Sequence, residues 1–305
     1  MADVGSPLVA VVGSTASGKS DLAVELALRA EGEVVNADSM QLYRGMDVGT
    51  AKTDPAQRRG VTHHLLDVLD VTETASVADV QRQARATVLD IWSRGRLALL
   101  VGGSGLYVRA VVDEYDFPGT DTGLREGLEA ELAQVGPRAL HARLAAVDPD
   151  AAEGILPSNG RRIVRALEVV ALTGRPFAAS LPEPRYWHEP TVQLAIDVAR
   201  DDLDVRVAAR VERMWDAGLV DEVRALACRG LRDGRTASRA IGYAQVLDYL
   251  DGQCSLEEAK QRTITATRRL VRRQDAWFRR DPRVLWLAPG PDLVDEAMAV
   301  VDSLR

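Results

Sequence analysis

Residues 8–12, Leu-Val-Ala-Val-Val, are apolar at every position and run into Gly13. An uninterrupted apolar run of this length, closed by a turn residue, predicts a strand buried on both faces, as in a parallel sheet. Residues 33–37 and 97–101 predict two more short strands, while residues 20–30 and 77–93 carry apolar positions at helical spacing. Strand, helix, strand at this spacing predicts a doubly wound α/β core. The pattern changes after Val112. Residues 113–123 hold Pro118, two glycines and three aspartates, and read as a linker. Residues 124–135, 137–147 and 161–172 then read as helices with no strand among them. A proline-bearing connector over 173–190 leads to 191–198, where Val192, Leu194, Ile196 and Val198 alternate and predict a returning strand. The remainder reads as helical, with a last short strand near 284–287. The expected organisation is an α/β core, residues 1–117 and 193–305, interrupted by a helical insertion domain over 118–192.

Composition adds exclusions. Of 305 residues, 46% are hydrophobic and 27% charged, ordinary values for a chain that buries a core. The longest apolar runs fall far short of the ~20 residues that span a bilayer. Residues 1–7 carry no Lys or Arg ahead of an apolar run, so no secretory leader is expected. Two cysteines, Cys228 and Cys254, are too few for a disulfide scaffold or a zinc cage and suggest a cytoplasmic protein. The net charge of −7 argues against a uniform nucleic-acid coat. Its distribution does not: between Arg229 and Arg283 thirteen basic residues face seven acidic ones. Local sign decides polyanion binding. Within that stretch, Ser255 and Glu258 form a capping box. The helix they start places Arg268, Arg272 and Arg279 near one face, with Arg269, Arg273 and Arg280 beside them.

Gly13-Ser14-Thr15-Ala16-Ser17-Gly18-Lys19-Ser20 matches G-x4-G-K-[ST], between a buried strand and a helix. Its glycines let backbone N–H groups turn inward around phosphate oxygens, and the helix N-terminus adds favourable partial charge. Lys19 supplies a point charge, and Ser20 is the expected Mg2+ ligand. The motif does not say which phosphate; a nucleoside triphosphate of the ATP type is the default. Asp38 closes the second strand, where a carboxylate faces the ligand crevice and serves as a water-mediated metal ligand, a general base or a turn cap. Gly102-Gly103-Ser104-Gly105 follows the third strand and presents a hydroxyl at a strand end. His63 and His64 lack metal-ligand company.

Six segments in order resemble the tRNA dimethylallyltransferase (tRNA isopentenyltransferase) family over nearly the whole chain. They are the P-loop, Asn36-Ala-Asp-Ser-Met-Gln-Leu-Tyr-Arg-Gly-Met-Asp-Val-Gly-Thr-Ala-Lys52, His64-Leu-Leu-Asp67, Leu100-Val-Gly-Gly-Ser-Gly-Leu-Tyr107, Arg161-Arg-Ile-Val-Arg-Ala-Leu-Glu168 and Ile241-Gly-Tyr243. The stretch 36–52 is the most specific, since ordinary P-loop kinases lack it. The resemblance is to bacterial members, without the zinc-finger tail of eukaryotic ones after Arg305.

The resemblance implies transfer of a dimethylallyl group from its diphosphate to N6 of adenosine 37, beside the anticodon, in tRNAs reading codons that begin with U. Residues 13–20 and Arg210 would then grip the donor diphosphate with Mg2+, and no ATP would be consumed. Asp38 matches the family's base, with Ser104 and Lys19 beside the reacting centre. Segments matching tRNA contacts are Asp38, Ser39, Met40 and Gln41; Arg161, Arg162, Ile163, Val164 and Arg165; and Arg239, Ala240, Ile241, Gly242, Tyr243 and Ala244. Ser104 and Arg125 match two further contacts. Ala244 stands where relatives often carry a basic residue. A monomer binding the tRNA anticodon stem-loop and dimethylallyl diphosphate, with no membrane association, is expected. Prenylation of free adenine nucleotides, a small-molecule kinase and an RNA-binding module are the alternatives. The arginine-rich segments favour tRNA over a free nucleotide, and the 36–52 stretch disfavours the last two.

Overall fold

The computed structural model describes residues 5–115, 117–177 and 183–304. Residues 1–4, most of the segment expected to lack a leader, lie outside the described residues, as do Arg305 and part of the proline-bearing connector. In chain order the elements are β1 (Leu8–Val12), α1 (Lys19–Arg29), β2 (Gly32–Asn36), β3 (His63–His64), α2 (Val77–Ser93), β4 (Leu97–Gly102) and α3 (Gly105–Val112). Then come α4 (Thr122–Val147), α5 (Pro149–Glu153) and α6 (Gly160–Thr173). The chain closes with β5 (Thr191–Ile196), α7 (Arg200–Asp216), α8 (Leu219–Ala227), α9 (Tyr243–Leu250), α10 (Leu256–Phe278), β6 (Val284–Leu287) and α11 (Leu293–Asp302).

The six strands form one parallel sheet in the order β3-β2-β4-β1-β5-β6. The central strands β1 and β4 are continuous apolar runs because both faces are covered. Val9 and Val11 pack with α1, α7 and α11 on one side, while Leu8, Ala10 and Val12 pack with α2 and α3 on the other. This is the α/β fold expected from the strand pattern. The pair His63–His64 forms a strand that hydrophobic periodicity could not reveal, since two residues have no period. It is held by pairing to Val34 and Val35. His64 is structural, its Nε2 2.7 Å from the buried carboxylate of Glu33. A further apolar cluster joins α8 and α9 to Tyr43, Met46 and Val71.

The chain divides into two units, residues 1–114 with 186–305, and residues 115–185. The first boundary lies three residues ahead of the expected 118. The second falls ahead of the expected 192, because Trp187 N–H bonds Val112 O at 2.8 Å and Asp113 bridges Tyr186, tying these residues to the sheet unit. The second unit is helical. Its long α4 is broken at Gly136, φ +80°, just before Pro137, which cannot continue a helix without losing a hydrogen bond. Leu128, Leu140, Leu144, Ile163 and Leu167 form its core.

Gly102 ends β4 where a Cβ would lie 2.6 Å from the Ala37 carbonyl group. Backbone cannot yield as a flexible side chain can. Gly102→Ala is therefore expected to destabilise the sheet unit by about 1–3 kcal/mol, as overpacking does. Chemical denaturation of both proteins measures the difference.

Candidate active site

Three neighbouring strands deliver their loops to one edge of the sheet. Val12 lies beside Gly102, and Asn36 beside Val101. The 13–20 loop, Asp38 and the 102–104 turn therefore emerge together, at the carboxyl ends where open α/β sheets bind ligands.

In the first loop Gly13 and Gly18 have φ of +129° and +97°, conformations that side chains resist. They turn the chain back on itself, so that Lys19 Nζ donates to Ser14 O at 3.3 Å. Lys19 opens α1, whose first-turn amides have no partner within the helix. Burial lowers the Lys19 pKa to about 8; Asp38 pushes it up and Arg210 down. Burial likewise lowers the pKa of Arg210, again opposed by Asp38. Arg210 donates to Thr50 O at 3.0 Å, but its buried Nε has no partner. Ser17 Oγ is also buried and unpartnered. Lys19 at the end of the loop and Arg210 from α7, both partly buried and with unpaired donors beside them, make an anion site.

Asp38 is held by its own strand. Asn36 accepts Asp38 N–H at 2.9 Å and donates to Asp38 O and Leu65 O, each at 3.0 Å. Asp38 Oδ1 accepts Met40 N–H at 2.9 Å. The second carboxylate oxygen has no hydrogen-bond partner among the described residues. Ser104 Oγ accepts Ser39 N–H at 3.3 Å, which brings the hydroxyl beside this turn.

Two chambers meet here. The larger, about 480 Å³, is mostly apolar, with Val211, Met214, Ile241, Leu270 and Trp277 among its lining residues. The smaller, about 40 Å³, is polar and holds Lys19, Ser20, Asn36, Gln41 and His63. Thr15, Asp38 and Arg210 line both. Ser39, Met40 and Ser104 line only the larger. Among the described residues no cluster of three His, Cys, Asp or Glu could hold a metal by itself. One hydroxyl, Ser20, beside a phosphate loop fits a hard cation that takes its other ligands from substrate oxygens and water.

The 36–52 stretch builds a chamber wall. Lys52 is buried, donating to Tyr43 O at 2.9 Å and pairing with Asp47 at 2.7 Å and Asp67 at 2.6 Å. Glu222 accepts the N–H groups of Asp47, Val48 and Gly49 at 3.0, 2.7 and 3.1 Å, and the Tyr243 hydroxyl at 2.5 Å. A Cβ on Gly49 would strike the Tyr243 ring at 2.5 Å. Sequence reasoning missed Glu222, Gln274 and Trp277. Each acts across a long sequence separation, and Gln274 and Trp277 are masked by the arginines around them.

The residues expected to touch tRNA divide. Arg239, Ala240 and Ile241 line the large chamber, and Gly242 and Ala244 flank the start of α9. Tyr243 is fully buried and hydrogen-bonded to Glu222, so it positions the wall and offers a macromolecule no side chain. In the helical unit Arg161 and Arg162 are exposed, whereas Ile163 and Val164 are core. Arg125 and Arg165 both bind the buried carboxylate of Glu168. Burial opposes that charge, but the two guanidiniums outweigh it and hold the pKa below the usual range. On α10 the expected cationic face is partly paired with carboxylates. Arg268 and Arg272 lie 3.8 and 3.6 Å from Asp204, and Arg279 pairs with Asp197 and Asp275 while covering Trp286. Arg269, Arg273 and Arg280 are exposed on the neighbouring stripe, and Arg273 reaches the large chamber.

A phosphate loop opening into an apolar chamber, with a carboxylate where the two meet, defines a group-transferring P-loop protein rather than a switch. Residues 41–281 match the IPP transferase family. A tRNA dimethylallyltransferase from Thermobifida fusca is 63% identical over 304 residues, covering 97% of this chain and 94% of that protein. The crystal structure of a tRNA isopentenylpyrophosphate transferase from Bacillus halodurans is 42% identical, with a TM-score of 0.70, covering 98% of this chain and 95% of that one. A eukaryotic dimethylallyltransferase acting on tRNA shares the fold, with a TM-score of 0.82 at 24% identity, over 97% of this chain and 78% of that one. The chain belongs to the IPP transferase family and is a prenyltransferase.

Lys19 binds an anion only while protonated. Affinity for inorganic diphosphate should therefore fall as pH rises past about 8. Lys19→Arg, whose charge persists at all accessible pH values, should flatten the profile. Calorimetric titrations between neutral and alkaline pH check both.

Proposed function

We propose that this enzyme transfers the dimethylallyl group of dimethylallyl diphosphate to N6 of adenosine 37 in tRNAs reading codons that begin with U. The products are N6-(dimethylallyl)adenosine and diphosphate. The observation that carries the proposal is the shared wall of the two chambers, where Asp38, Thr15 and Arg210 serve both. An allylic diphosphate has matching halves, one polyanionic and one apolar.

Lys19, Arg210 and the loop amides hold the diphosphate, and the five-carbon tail lies in the apolar chamber. Adenosine 37, swung out of its stacked loop, enters the same chamber. The C1–O bond of the donor breaks with its electron pair leaving on the diphosphate, and the N6–C1 bond forms. Asp38 takes the N6 proton, which makes a poorly nucleophilic amine reactive. Ser104 orients the acceptor beside it. Mg2+, held by Ser20 with the donor's own oxygens, would neutralise leaving-group charge. Water exclusion by Val211, Met214, Leu270 and Trp277 protects the allylic centre from hydrolysis.

The helical unit, through Arg161 and Arg162, and the α10 stripe of Arg269, Arg273 and Arg280 supply tRNA backbone contacts. The protein acts as a cytoplasmic monomer; no described helix is long and apolar enough to cross a membrane.

Labelled donor incubated with tRNA, with adenine nucleotides or with neither tests the acceptor class. Label appearing on a free nucleotide but not on tRNA would overturn the proposal. Asp38→Asn should slow single-turnover transfer by roughly 10²–10⁴ while donor and tRNA affinities stay near wild type. Changing Arg269, Arg273 and Arg280 together to Gln should weaken tRNA binding and reduce its salt slope by about 0.7–0.9 per lost contact. The same change at Arg268, Arg272 and Arg279 should leave the slope unaltered, because those cations already have carboxylate partners.

A further inference from the structure

The inward side of α10 carries an amide among apolar neighbours. Gln274 is 8% exposed. Its Oε1 accepts Thr15 N–H at 2.8 Å, and its Nε2 donates to Gly103 O at 2.9 Å. One side chain thus joins the phosphate loop to the glycine turn. The two ends are not interchangeable: reversing the amide would set donor against donor and acceptor against acceptor, the latter at the buried Gly103 carbonyl.

Its two partners sit where the chemistry meets. Thr15 lines both chambers. Gly103 precedes Ser104, whose hydroxyl bonds the turn that carries Asp38. Space enforces the contact as well. A Cβ on Gly103 would lie 2.6 Å from Gln274 Nε2 and 3.0 Å from Gly13 O. One turn further along α10, Trp277 packs so close to Gly105 that a Cβ there would lie 2.3 Å from its indole nitrogen. The glycine turn is therefore seated against α10 at two successive points.

Thr15 N–H is also spent on Gln274 rather than offered to a ligand. The phosphate loop then binds anions with the amides beyond Thr15, and its entry is fixed before any ligand arrives.

We propose that Gln274 is a positioning residue for prenyl transfer. It sets the spacing between the diphosphate loop and the Asp38–Ser104 pair, so that the donor carbon and the attacking amine meet in line. The inference rests on the transfer reaction proposed above. It adds that the alignment of the two half-sites is held by one amide from a distant helix.

The test replaces Gln274 with Met, which keeps the length and apolar stem but makes neither hydrogen bond. Single-turnover transfer is measured well below the unfolding temperature, with donor and tRNA affinities determined separately. The expected result is a rate lowered by roughly 10²-fold, the scale of a 1 Å misplacement, with both affinities within a few-fold of wild type. A lower unfolding temperature with an unchanged rate would make Gln274 a purely structural residue and overturn the proposal. A double-mutant cycle with Ser104→Ala supplies the second reading. If Gln274 acts through the glycine turn, the two losses are less than additive; full additivity would also overturn it. Should the Met protein fail to fold, Gln274→Glu keeps the acceptor for Thr15 and sets oxygen against Gly103 O. It should slow transfer likewise, and a normal rate would overturn the proposal. Wild-type enzyme run in parallel separates the two claims: if it transfers no prenyl group to tRNA, the reaction assignment fails rather than the role of Gln274.

Discussion

Parallel pairing of β1, β4 and β2 is the constraint from which the site follows. Parallel strands share a direction, so their carboxyl ends lie at one edge, and adjacent register places Val12, Gly102 and Asn36 almost level. Three loops with no sequence proximity are thereby forced into one volume. That crowding explains why the 102–105 turn carries three glycines: one faces the Ala37 backbone, one Gly13 and Gln274, and one Trp277. Each is a point where the chain approaches another group more closely than a side chain allows.

The same crowding sets the electrostatics. Lys19 and Arg210 are partly buried near each other, and Asp38 is the carboxylate that offsets them. Such an arrangement is costly without an anion and favourable with one. In the reaction proposed above, the charge that makes the unliganded loop tolerable is the one that would take the acceptor's proton.

Much of this was legible in the sequence because it is local. The phosphate motif, the strand-end aspartate and the glycine turn are contiguous strings with a physical reason for each residue, and the apolar runs announced a sheet covered on both faces. What was not legible depends on partners far along the chain. Gln274 reads as one polar residue among arginines until the fold sets it against Thr15. Glu222 reads as a surface helix charge until three backbone amides converge on it. The partial pairing on α10 was hidden because helical spacing shows which arginines are neighbours, not that Asp204 and Asp197 wait on other elements. Tyr243 is a similar case: a motif marks its importance, while only packing shows that it faces inward.

The pairing of Asp113 with Tyr186, and of Trp187 with Val112, has a bearing on how such a chain can change over time. The helical unit leaves and re-enters the sheet unit through neighbouring backbone, so the sheet unit registers the excursion as a single crossing point. For a flexible excursion, doubling the length adds only about 0.6 kcal/mol of closure entropy. Residues 115–185 can thus lengthen or shorten without disturbing the pairing of the strands.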